Sequence, residues 1–367
     1  MDSAELSVFR KLPLGGVDRR ALVAQLASEG PRAARELLQA ERARIRPARA
    51  AIAPDTVVLL LGGSNGLTRS IAAQLLLGEG AAVVGVHHDS EKMQIGVHHV
   101  RALSEAAAEA GVVARFFNTD AARPETVAEV VSALRGQWRA VHLINGIAAG
   151  APKRHAAHGP TLVLDLDVAF DPVLQLPDFR RPENVRRLGL VEVEVATAAD
   201  VERTHRFMGS STLLWAEQLA EAGLLCRDES VVAFCDYDFP PDDPVYGMGP
   251  LADAKREQRR SLGLIAERFG VRTVRVCYPA MATTAIGIIP GGLYMYAMTA
   301  QILKERRQFR TVAELGADTM ALWREPRPAG ELRLDVAYQQ CLDEFRARTA
   351  RIRPADVPAA FSLLFEP

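Results

Sequence analysis

The sequence has little of what marks disulfide-bonded, metal-binding or nucleic-acid-binding proteins. Its four cysteines lie far apart among 367 residues without a CxxC pair, so we expect reduced thiols and a cytoplasmic protein. Lys and Arg (44) nearly balance Asp and Glu (45), which leaves no basic surface typical of nucleic-acid binding. The histidine pairs at 87–88 and 98–99 point in different directions on a strand or a helix, so neither makes a zinc site by itself. We expect no metal.

A targeting or membrane segment is not evident either. The N-terminus has no apolar core of the kind found in signal peptides. Residues 276–303 lack Asp, Glu, Lys and Arg and are long enough to span a bilayer. Pro279, Pro290 and the glycines at 291–292 interrupt this stretch, which favours a buried strand, a loop and an apolar helix. A helix that dips into a membrane surface is the alternative.

The clearest local pattern begins at residue 56. An apolar strand (56–61) leads through a glycine-rich turn into a helix (67–77) and a second apolar strand that ends in Asp89, the first βαβ unit of a dinucleotide-binding fold. Gly62 and Gly66 allow a tight turn whose N–H groups can approach a pyrophosphate. Asp89 can accept hydrogen bonds from a ribose diol and would repel a 2′-phosphate, which favours NADH over NADPH. Lys92 and Arg101 nearby weigh against that choice, and a strand-turn-helix without a ligand is the alternative.

Strands and helices continue to alternate after this unit. We predict strands at 112–117, 140–144, 230–234 and 273–277, helices at 124–135 and 198–223, and an insertion at about 150–201 whose segments 161–176 and 185–197 alternate as short strands. The sequence therefore predicts an α/β fold: a Rossmann-type doubly wound parallel sheet with helices on both faces, a long insertion after the fourth strand and a helical C-terminal extension. Residues 1–52 form an N-terminal helical extension, with helices at roughly 17–29 and 33–46, and residues 53–367 form a single catalytic domain.

A candidate proton donor lies between Cys235 and Arg256. Nine helical steps of about 100° would place Tyr246 and Lys255 on opposite faces of one helix. Proline and glycine at 244, 247, 249 and 250 instead indicate a loop before a helix that starts near Leu251, so the tyrosine lies on a loop over a helix-borne lysine. A phenol supported by an ammonium group can protonate a carbonyl oxygen. The alternative is a surface tyrosine and a solvated lysine.

Two later stretches admit two interpretations each. Thr283 and Thr284 follow the sixth strand, where they can bond a nicotinamide carboxamide or a phosphate, or be ordinary turn residues. The Met-, Ile- and Tyr-rich helix that follows can line an apolar substrate channel or belong to the core.

With these motifs in order, the sequence resembles the single-chain trans-2-enoyl-CoA/acyl-carrier-protein reductases, the long type within the short-chain dehydrogenase/reductase superfamily. The resemblance covers about residue 53 to the C-terminus. It rests on the eight-residue Tyr–Lys gap and on the motifs GGSNG, VGVHHDSEK, INGIAAGAPKR, MGSSTLLWAEQL and AMATTAIGIIPGGLYM.

The resemblance implies roles for particular residues. Tyr246 is then the proton donor, and Tyr237 corresponds to a second tyrosine that contacts the substrate carbonyl. The implied cofactor residues are Gly62, Gly63, Ser64, Asn65, Gly66, Leu67, His88, Asp89, Asp120, Ala121, Ile147, Ala148, Lys255, Met281, Ala282 and Thr283.

The sequence also departs from the family pattern. Thr68 replaces a third glycine, which puts the geometry of cofactor binding in doubt. Tyr237 lies one residue nearer Tyr246 than usual, Asp253 replaces a common lysine, and the first fifty residues differ from the usual start. These departures indicate a divergent member.

The expected activity is NADH-dependent reduction of the C2–C3 double bond of a trans-2-enoyl thioester, carried by CoA or acyl carrier protein, in fatty acid or polyketide metabolism. Hydride adds to Cβ, Tyr246 protonates the enolate oxygen, and Lys255 lowers the pKa of the phenol and binds the nicotinamide ribose. A carbonyl reductase that uses the same Tyr–Lys pair and a non-catalytic NADH-binding protein are the alternatives. The resemblance also suggests a monomer.

Overall fold

The computed structural model describes residues 6–11, 16–47, 52–90, 94–148, 154–156, 158–238, 241–324 and 330–365. In chain order, the strands are β1 (Thr56–Leu61), β2 (Ala82–His87), β3 (Ala114–Asn118), β4 (Ala140–Asn145), β5 (Arg154–Ala156), β6 (Thr161–Val168), β7 (Phe170–Asp171), β8 (Leu176–Pro177), β9 (Val185–Val195), β10 (Val231–Asp236), β11 (Arg272–Cys277) and β12 (Gly330–Arg333). The α-helices are α1 (Arg19–Arg42), α2 (Gly66–Ala73), α3 (Gly96–Glu109), α4 (Pro124–Leu134), α5 (Ala198–Thr204), α6 (Ser211–Glu221), α7 (Pro250–Phe269), α8 (Thr284–Ile288), α9 (Gly292–Glu305), α10 (Val312–Asp318), α11 (Ala321–Arg324), α12 (Val336–Gln339), α13 (Leu342–Thr349) and α14 (Val357–Ala360).

The central sheet consists of seven parallel strands in the order β3-β2-β1-β4-β10-β11-β12. β1 is buried at every residue, as expected of an apolar run in a sheet covered on both faces. Val58 and Leu60 pack into one hydrophobic core, and Val57, Leu59 and Leu61 pack into another on the opposite face. The strand order changes direction between β1 and β4, which places a ligand crevice beyond their carboxyl ends. The predicted fold class is confirmed.

The insertion after β4 forms its own small sheet. β9 lies between β6, with which it is antiparallel, and β5, with which it is parallel. β7 and β8 form a short hairpin that follows β6. Both segments that alternate in the sequence are therefore strands, as predicted.

The N-terminal extension differs from the prediction, because α1 is one continuous helix and the expected break between residues 29 and 33 is absent. Buried residues recur along one side of it: Leu22, Leu26, Gly30, Ala34 and Leu38. Gly30 permits close packing, since a Cβ there would lie 2.6 Å from a ring carbon of His98 on α3. Burial of this continuous face outweighs the helix-breaking tendency of Pro31.

Polar contacts also attach this extension to the Rossmann unit. Glu41 on α1 forms a buried ion pair with Arg69 on α2 and accepts a hydrogen bond from Ser70 at 3.2 Å. The side-chain amide of Gln74 donates to the Arg46 carbonyl at 2.8 Å and accepts from the Arg46 N–H at 3.1 Å. The helix that follows the glycine turn is thus held from outside by α1 and the segment after it.

Other boundaries show where periodicity alone misleads. In the region predicted as a helix at 67–77, α2 ends at Ala73 and a π-helix, Gln74–Glu79, follows it. The region predicted as a helix at 198–223 is divided into α5 and α6 by a second π-helix, His205–Gly209. β2 ends at His87, two residues before Asp89. β12 was not predicted, because four residues are too few for an alternating pattern to distinguish a strand. The charge-free stretch does form a strand, a loop and the buried helix α9, as predicted.

No helix in the described part of the chain combines the length and the apolarity needed to cross a membrane.

Candidate active site

The glycine-rich turn after β1 brings the first amides of α2 to the carboxyl edge of the sheet. Gly62 has φ +92° and Gly66 has φ +55°, in the left-handed region that favours glycine. Asn65, the N-cap of α2, has an extended backbone, and its side chain makes no capping hydrogen bond. The first N–H groups of the helix are therefore available to an anion, which the helix dipole also favours.

Thr68 occupies the position of the missing third glycine, and two neighbours accommodate it. Its hydroxyl donates to the Gly62 carbonyl and lies 3.3 Å from the Asn65 carbonyl. A Cβ built on Gly146, just beyond β4, would lie 2.1 Å from Thr68 Cγ2. The absent side chain at Gly146 thus leaves room for the threonine methyl group.

Asp89 lies beside this turn, with a side chain only 5% exposed. One carboxylate oxygen lies 2.7 Å from His87 Nδ1, and the other accepts from Asn65 Nδ2 at 3.3 Å. Its backbone N–H donates to Asn118 Oδ1 at 2.9 Å, and the Asn118 amide donates to its carbonyl at 3.0 Å. These contacts hold the carboxylate next to the turn, where the sequence places it. Lys92, which weighed against NADH, lies outside the described residues.

Other predicted cofactor residues lie along the same edge. Thr283, after β11, approaches the glycine turn, since a Cβ on Gly66 would lie 3.1 Å from its Cγ2. Ala121 is buried, and its carbonyl accepts from Trp215 Nε1 at 2.9 Å; the Ile147 N–H donates to Asn145 Oδ1 at 3.0 Å. Gly63, Ser64 and Leu67 are half-buried or buried in the turn, Asp120, Met281 and Ala282 are half-buried, and His88 and Ala148 are exposed.

Tyr246 lies on the loop before α7, which begins at Pro250 as the sequence predicts. Asp243 Oδ1 accepts hydrogen bonds from the N–H groups of Val245 at 2.9 Å and Tyr246 at 2.6 Å, so the backbone turn that carries the phenol is fixed. Tyr246 is 7% exposed. A Cβ on Gly292, the first residue of α9, would lie 2.9 Å from its hydroxyl oxygen. The alternative of a surface tyrosine is excluded.

Lys255 on α7 is buried as well, which excludes a solvated lysine. Its ammonium donates to the Cys235 carbonyl at 2.7 Å and to Gln258 Oε1 at 3.1 Å. A Cβ on Gly146 would lie 3.4 Å from Cys235 Sγ. Lys255 is therefore connected through the end of β10 to the glycine turn.

Tyr237 lies close to both Lys255 and Tyr246. The lysine Nζ is 5.9 Å from the centre of the Tyr237 ring, whose centre is 5.8 Å from that of Tyr246 in an edge-to-face pair at 89°. The guanidinium groups of Arg259 and Arg275 donate to the Tyr237 carbonyl at 3.3 and 3.4 Å, and both also bind Asp236. The three predicted catalytic side chains thus form one cluster, in which Tyr237 is held by hydrogen bonds to its backbone carbonyl.

The protonation of this cluster follows from its burial. Burial raises the pKa of the Tyr246 phenol well above its ordinary value, and the negative charges of Asp165 and Asp243 raise that pKa further. Burial lowers the pKa of Lys255, while the Asp236 carboxylate opposes this effect. The net pKa of Tyr246 is thus raised, and the lowering contribution expected of Lys255 stays a prediction. Tyr246 is a neutral phenol, able to donate.

Three contributions to the site were not predicted from the sequence. They are the Arg259 and Arg275 contacts with Tyr237, the space at Gly146, and a buried pair formed by Lys11 and Asp165. For the last of these the sequence offers no distinguishing signal, because Asp165 and Asp167 are both flanked by apolar residues in the same alternating strand. Within the described ranges, no group of three or more His, Cys, Asp or Glu side chains could hold a metal ion.

Comparison with known proteins gives a consistent result. The family model for the trans-2-enoyl-CoA reductase catalytic region matches residues 92–322. A trans-2-enoyl-CoA reductase from Euglena gracilis is 26% identical over 257 residues, covering 68% of this chain and 47% of that protein. An enoyl-[acyl-carrier-protein] reductase [NADH] from Burkholderia vietnamiensis is 25% identical over 265 residues, covering 68% and 64%. The chain thus spans about half to two thirds of these relatives' length.

Solved structures share the fold. The trans-2-enoyl-CoA reductase of Clostridium acetobutylicum in complex with NADH has a TM-score of 0.77 at 19% identity, covering 90% of this chain and 87% of that one. The Treponema denticola trans-2-enoyl-CoA reductase in complex with NAD has a TM-score of 0.68 at 17% identity, covering 97% and 89%.

Proposed function

Because the chain belongs to the trans-2-enoyl-CoA reductase family, whose catalytic-region model spans residues 92–322, we propose that it reduces the C2–C3 double bond of a trans-2-enoyl thioester with NADH. The observation that carries the proposal is the buried cluster of Lys255, Tyr237 and Tyr246 at the carboxyl edge of the sheet. This edge also carries the glycine turn, so a donor and a dinucleotide site lie in one crevice.

The residues of the turn fit a dinucleotide. Gly62 and Gly66 adopt left-handed backbone, and the N-terminus of α2 has no side-chain cap. A pyrophosphate would accept from these amides, with Ser64 to Leu67 around it. Asp120, Ala121, Ile147, Ala148 and Met281 to Thr283 would line the remaining edge, next to His88.

The Asp89 carboxylate supports NADH over NADPH. It is held 2.7 Å from His87 and 3.3 Å from Asn65, beside the turn. A carboxylate there suits a ribose diol and repels a 2′-phosphate. The relatives named as NADH-dependent reductases agree with this choice.

The chemistry that NADH supplies when bound is hydride transfer to Cβ of the enoyl group. Negative charge then develops on the thioester oxygen, and Tyr246 donates its hydroxyl proton toward that oxygen. Since the pKa of the buried phenol is raised, the proton stays on Tyr246 until the oxygen becomes basic. Tyr237 contacts the same carbonyl from the neighbouring position.

Lys255 has a supporting role in this scheme. Its ammonium carries three hydrogens, and two of them are donated to the Cys235 carbonyl and to Gln258. The third is available for a nicotinamide ribose hydroxyl. Its positive charge also lies 5.9 Å from the centre of the Tyr237 ring and would stabilise negative charge that develops near these side chains.

The substrate carrier is CoA or acyl carrier protein, since relatives of both kinds match. We place residues 53–367 in one catalytic domain with residues 1–52 as its extension, acting as a monomer in the cytoplasm.

The test is NADH oxidation with crotonyl-CoA, a longer trans-2-enoyl-CoA and acetoacetyl-CoA. We expect turnover of an enoyl substrate that falls about 100- to 1,000-fold in Tyr246→Phe, the loss typical of removing one donor to a developing oxyanion. Tyr294→Phe is the matched control, because that hydroxyl binds Thr349 in the C-terminal helices. Turnover of acetoacetyl-CoA alone would establish a carbonyl reductase instead, and NADH binding without any turnover would contradict catalysis of either kind.

A further inference from the structure

We propose that Lys11 is a positioning residue for Tyr246: its ion pair with Asp165 holds the first turn of α9 against the phenol and cancels the charge of Asp165 there. This inference rests on the proposed function for its effect on turnover. It assigns a role in the site to the N-terminal extension, in which the sequence indicates no chemistry.

The N-terminal segment is fixed to the insertion by backbone contacts. The Phe9 N–H donates to the Leu190 carbonyl at 2.8 Å, and the Leu190 N–H donates to the Ser7 carbonyl at 3.0 Å. Gly189 permits this close approach, since a Cβ there would lie 2.6 Å from the Ser7 carbonyl oxygen. The segment therefore delivers Lys11, two residues beyond Phe9, to a defined position.

Lys11 reaches the start of α9 in two ways. Its ammonium lies 2.6 Å from Asp165 Oδ2 and donates to the Ile289 carbonyl at 2.8 Å. The side chain of Lys11 is 11% exposed and that of Asp165 is 0% exposed. A pair this buried is weakly screened by solvent, so loss of one partner leaves an uncompensated charge.

Asp165 caps α9 from outside the helix. Its oxygens accept from the N–H groups of Gly291 at 3.0 Å and Tyr294 at 3.2 Å. Lys11 thus binds a carbonyl of the turn 289–294, and Asp165 binds two of its N–H groups, so the pair fixes the turn through both its acceptors and its donors. Gly292 lies within this turn, directly against the Tyr246 hydroxyl.

The charges around the phenol explain why the pair has to be neutral. Burial chiefly disfavours a negative charge on Tyr246, and the ionisable groups of Asp165 on β6, Tyr237 after β10, Asp243 on the Tyr246 loop and Tyr338 on α12 add to this effect. The Lys255 ammonium on α7 lies 5.9 Å from the centre of the Tyr237 ring. Without Lys11, the full charge of Asp165 would oppose the negative charge that develops during proton donation.

The experiment compares Lys11→Met, Asp165→Asn and the double variant, with Arg10→Met as a control that removes an exposed positive charge from the same segment. We expect kcat for an enoyl-CoA to fall about tenfold in Lys11→Met, equivalent to about one pKa unit on the donor, with the KM for NADH unchanged. The double variant restores neutrality and should recover most of kcat. If the pair has only a structural role, kcat of the double variant should be no higher than kcat of Lys11→Met. An unchanged kcat in Lys11→Met would also overturn the inference.

A second measurement does not depend on turnover. Tyr246→Phe is introduced with and without Lys11→Met, and the unfolding equilibrium constants in urea are compared. If Lys11 acts on the Tyr246 hydroxyl, the factor by which Tyr246→Phe changes the unfolding equilibrium constant should differ about threefold or more between the wild-type and Lys11→Met backgrounds. Additive effects would refute the inference even if no enoyl thioester is reduced, whereas inactivity of the wild type would refute only the proposed function.

Discussion

The contact between Thr68 and Gly146 gives the sharpest prediction about the cofactor site. A Cβ on Gly146 would lie 2.1 Å from Thr68 Cγ2, far inside van der Waals contact, and only 3.4 Å from Cys235 Sγ. The threonine hydroxyl is bound to the Gly62 carbonyl, so rotating the side chain away would break that hydrogen bond. Gly146→Ala should therefore destabilise the protein by about 1–3 kcal/mol, the usual cost of overpacking.

Two matched substitutions separate the methyl group from the hydroxyl. Thr68→Ser removes the clashing methyl and keeps the hydrogen bond, so combined with Gly146→Ala it should recover most of the lost stability. Thr68→Val keeps the methyl and removes the hydroxyl, so in the Gly146→Ala background it should recover none. The expected coupling between the serine and alanine substitutions is about 1–2 kcal/mol.

Urea unfolding measures these free energies, and NADH fluorescence measures binding in the same variants. We expect the dissociation constant of NADH to rise in Gly146→Ala and to return toward the wild-type value in the serine double variant. If Gly146→Ala is equally destabilising with Thr68 in place and in the Thr68→Ser background, the methyl group is not the obstacle and the account of Thr68 is wrong.

Further predictions concern stability and catalysis. Burial lowers the pKa of His142 to about 4 from 6.5, so below about pH 6.5 the unfolded state binds a proton that the folded state does not. The free energy of unfolding should therefore fall as the pH drops, by about 2 kcal/mol at pH 5. Thermal melts of His142→Asn should show a weaker dependence of stability on pH. Glu41→Gln leaves the buried Arg69 unpaired and should cost about 3 kcal/mol in urea unfolding, whereas Glu36→Gln at an exposed pair should cost less than about 0.5 kcal/mol. Lys255→Met should lower kcat/KM for an enoyl-CoA about a hundredfold; a change below about threefold would contradict its supporting role.

The parts of the fold that were predictable are those that local patterns determine. β1 coincides with its predicted span because an uninterrupted apolar run between turn residues leaves little choice of boundary. The start of α7 follows from Gly249 and Pro250, and the turn glycines from their position after β1. The placement of Tyr246 on a loop before the helix that carries Lys255 was predicted from the same proline and glycine residues, whereas the burial of both side chains was found only in the structure.

The parts that were not predictable depend on partners distant in the sequence. The alternation of β6 favours an aspartate on its polar side, yet Asp165 is buried because Lys11 and α9 cover it. α1 continues through Pro31 because its buried face packs on α3, which propensity does not reveal. Burial and acidic neighbours such as Asp165 raise the pKa of Tyr246, and local sequence patterns do not reveal either of them.

The Lys11 contacts also impose an order on assembly during synthesis. Their two partners lie 154 and 278 positions further along the chain. β1 and β2, in contrast, pair across a short connection and can associate much earlier. A growing chain therefore forms its glycine turn long before residues 289–294 emerge to complete the surroundings of Tyr246.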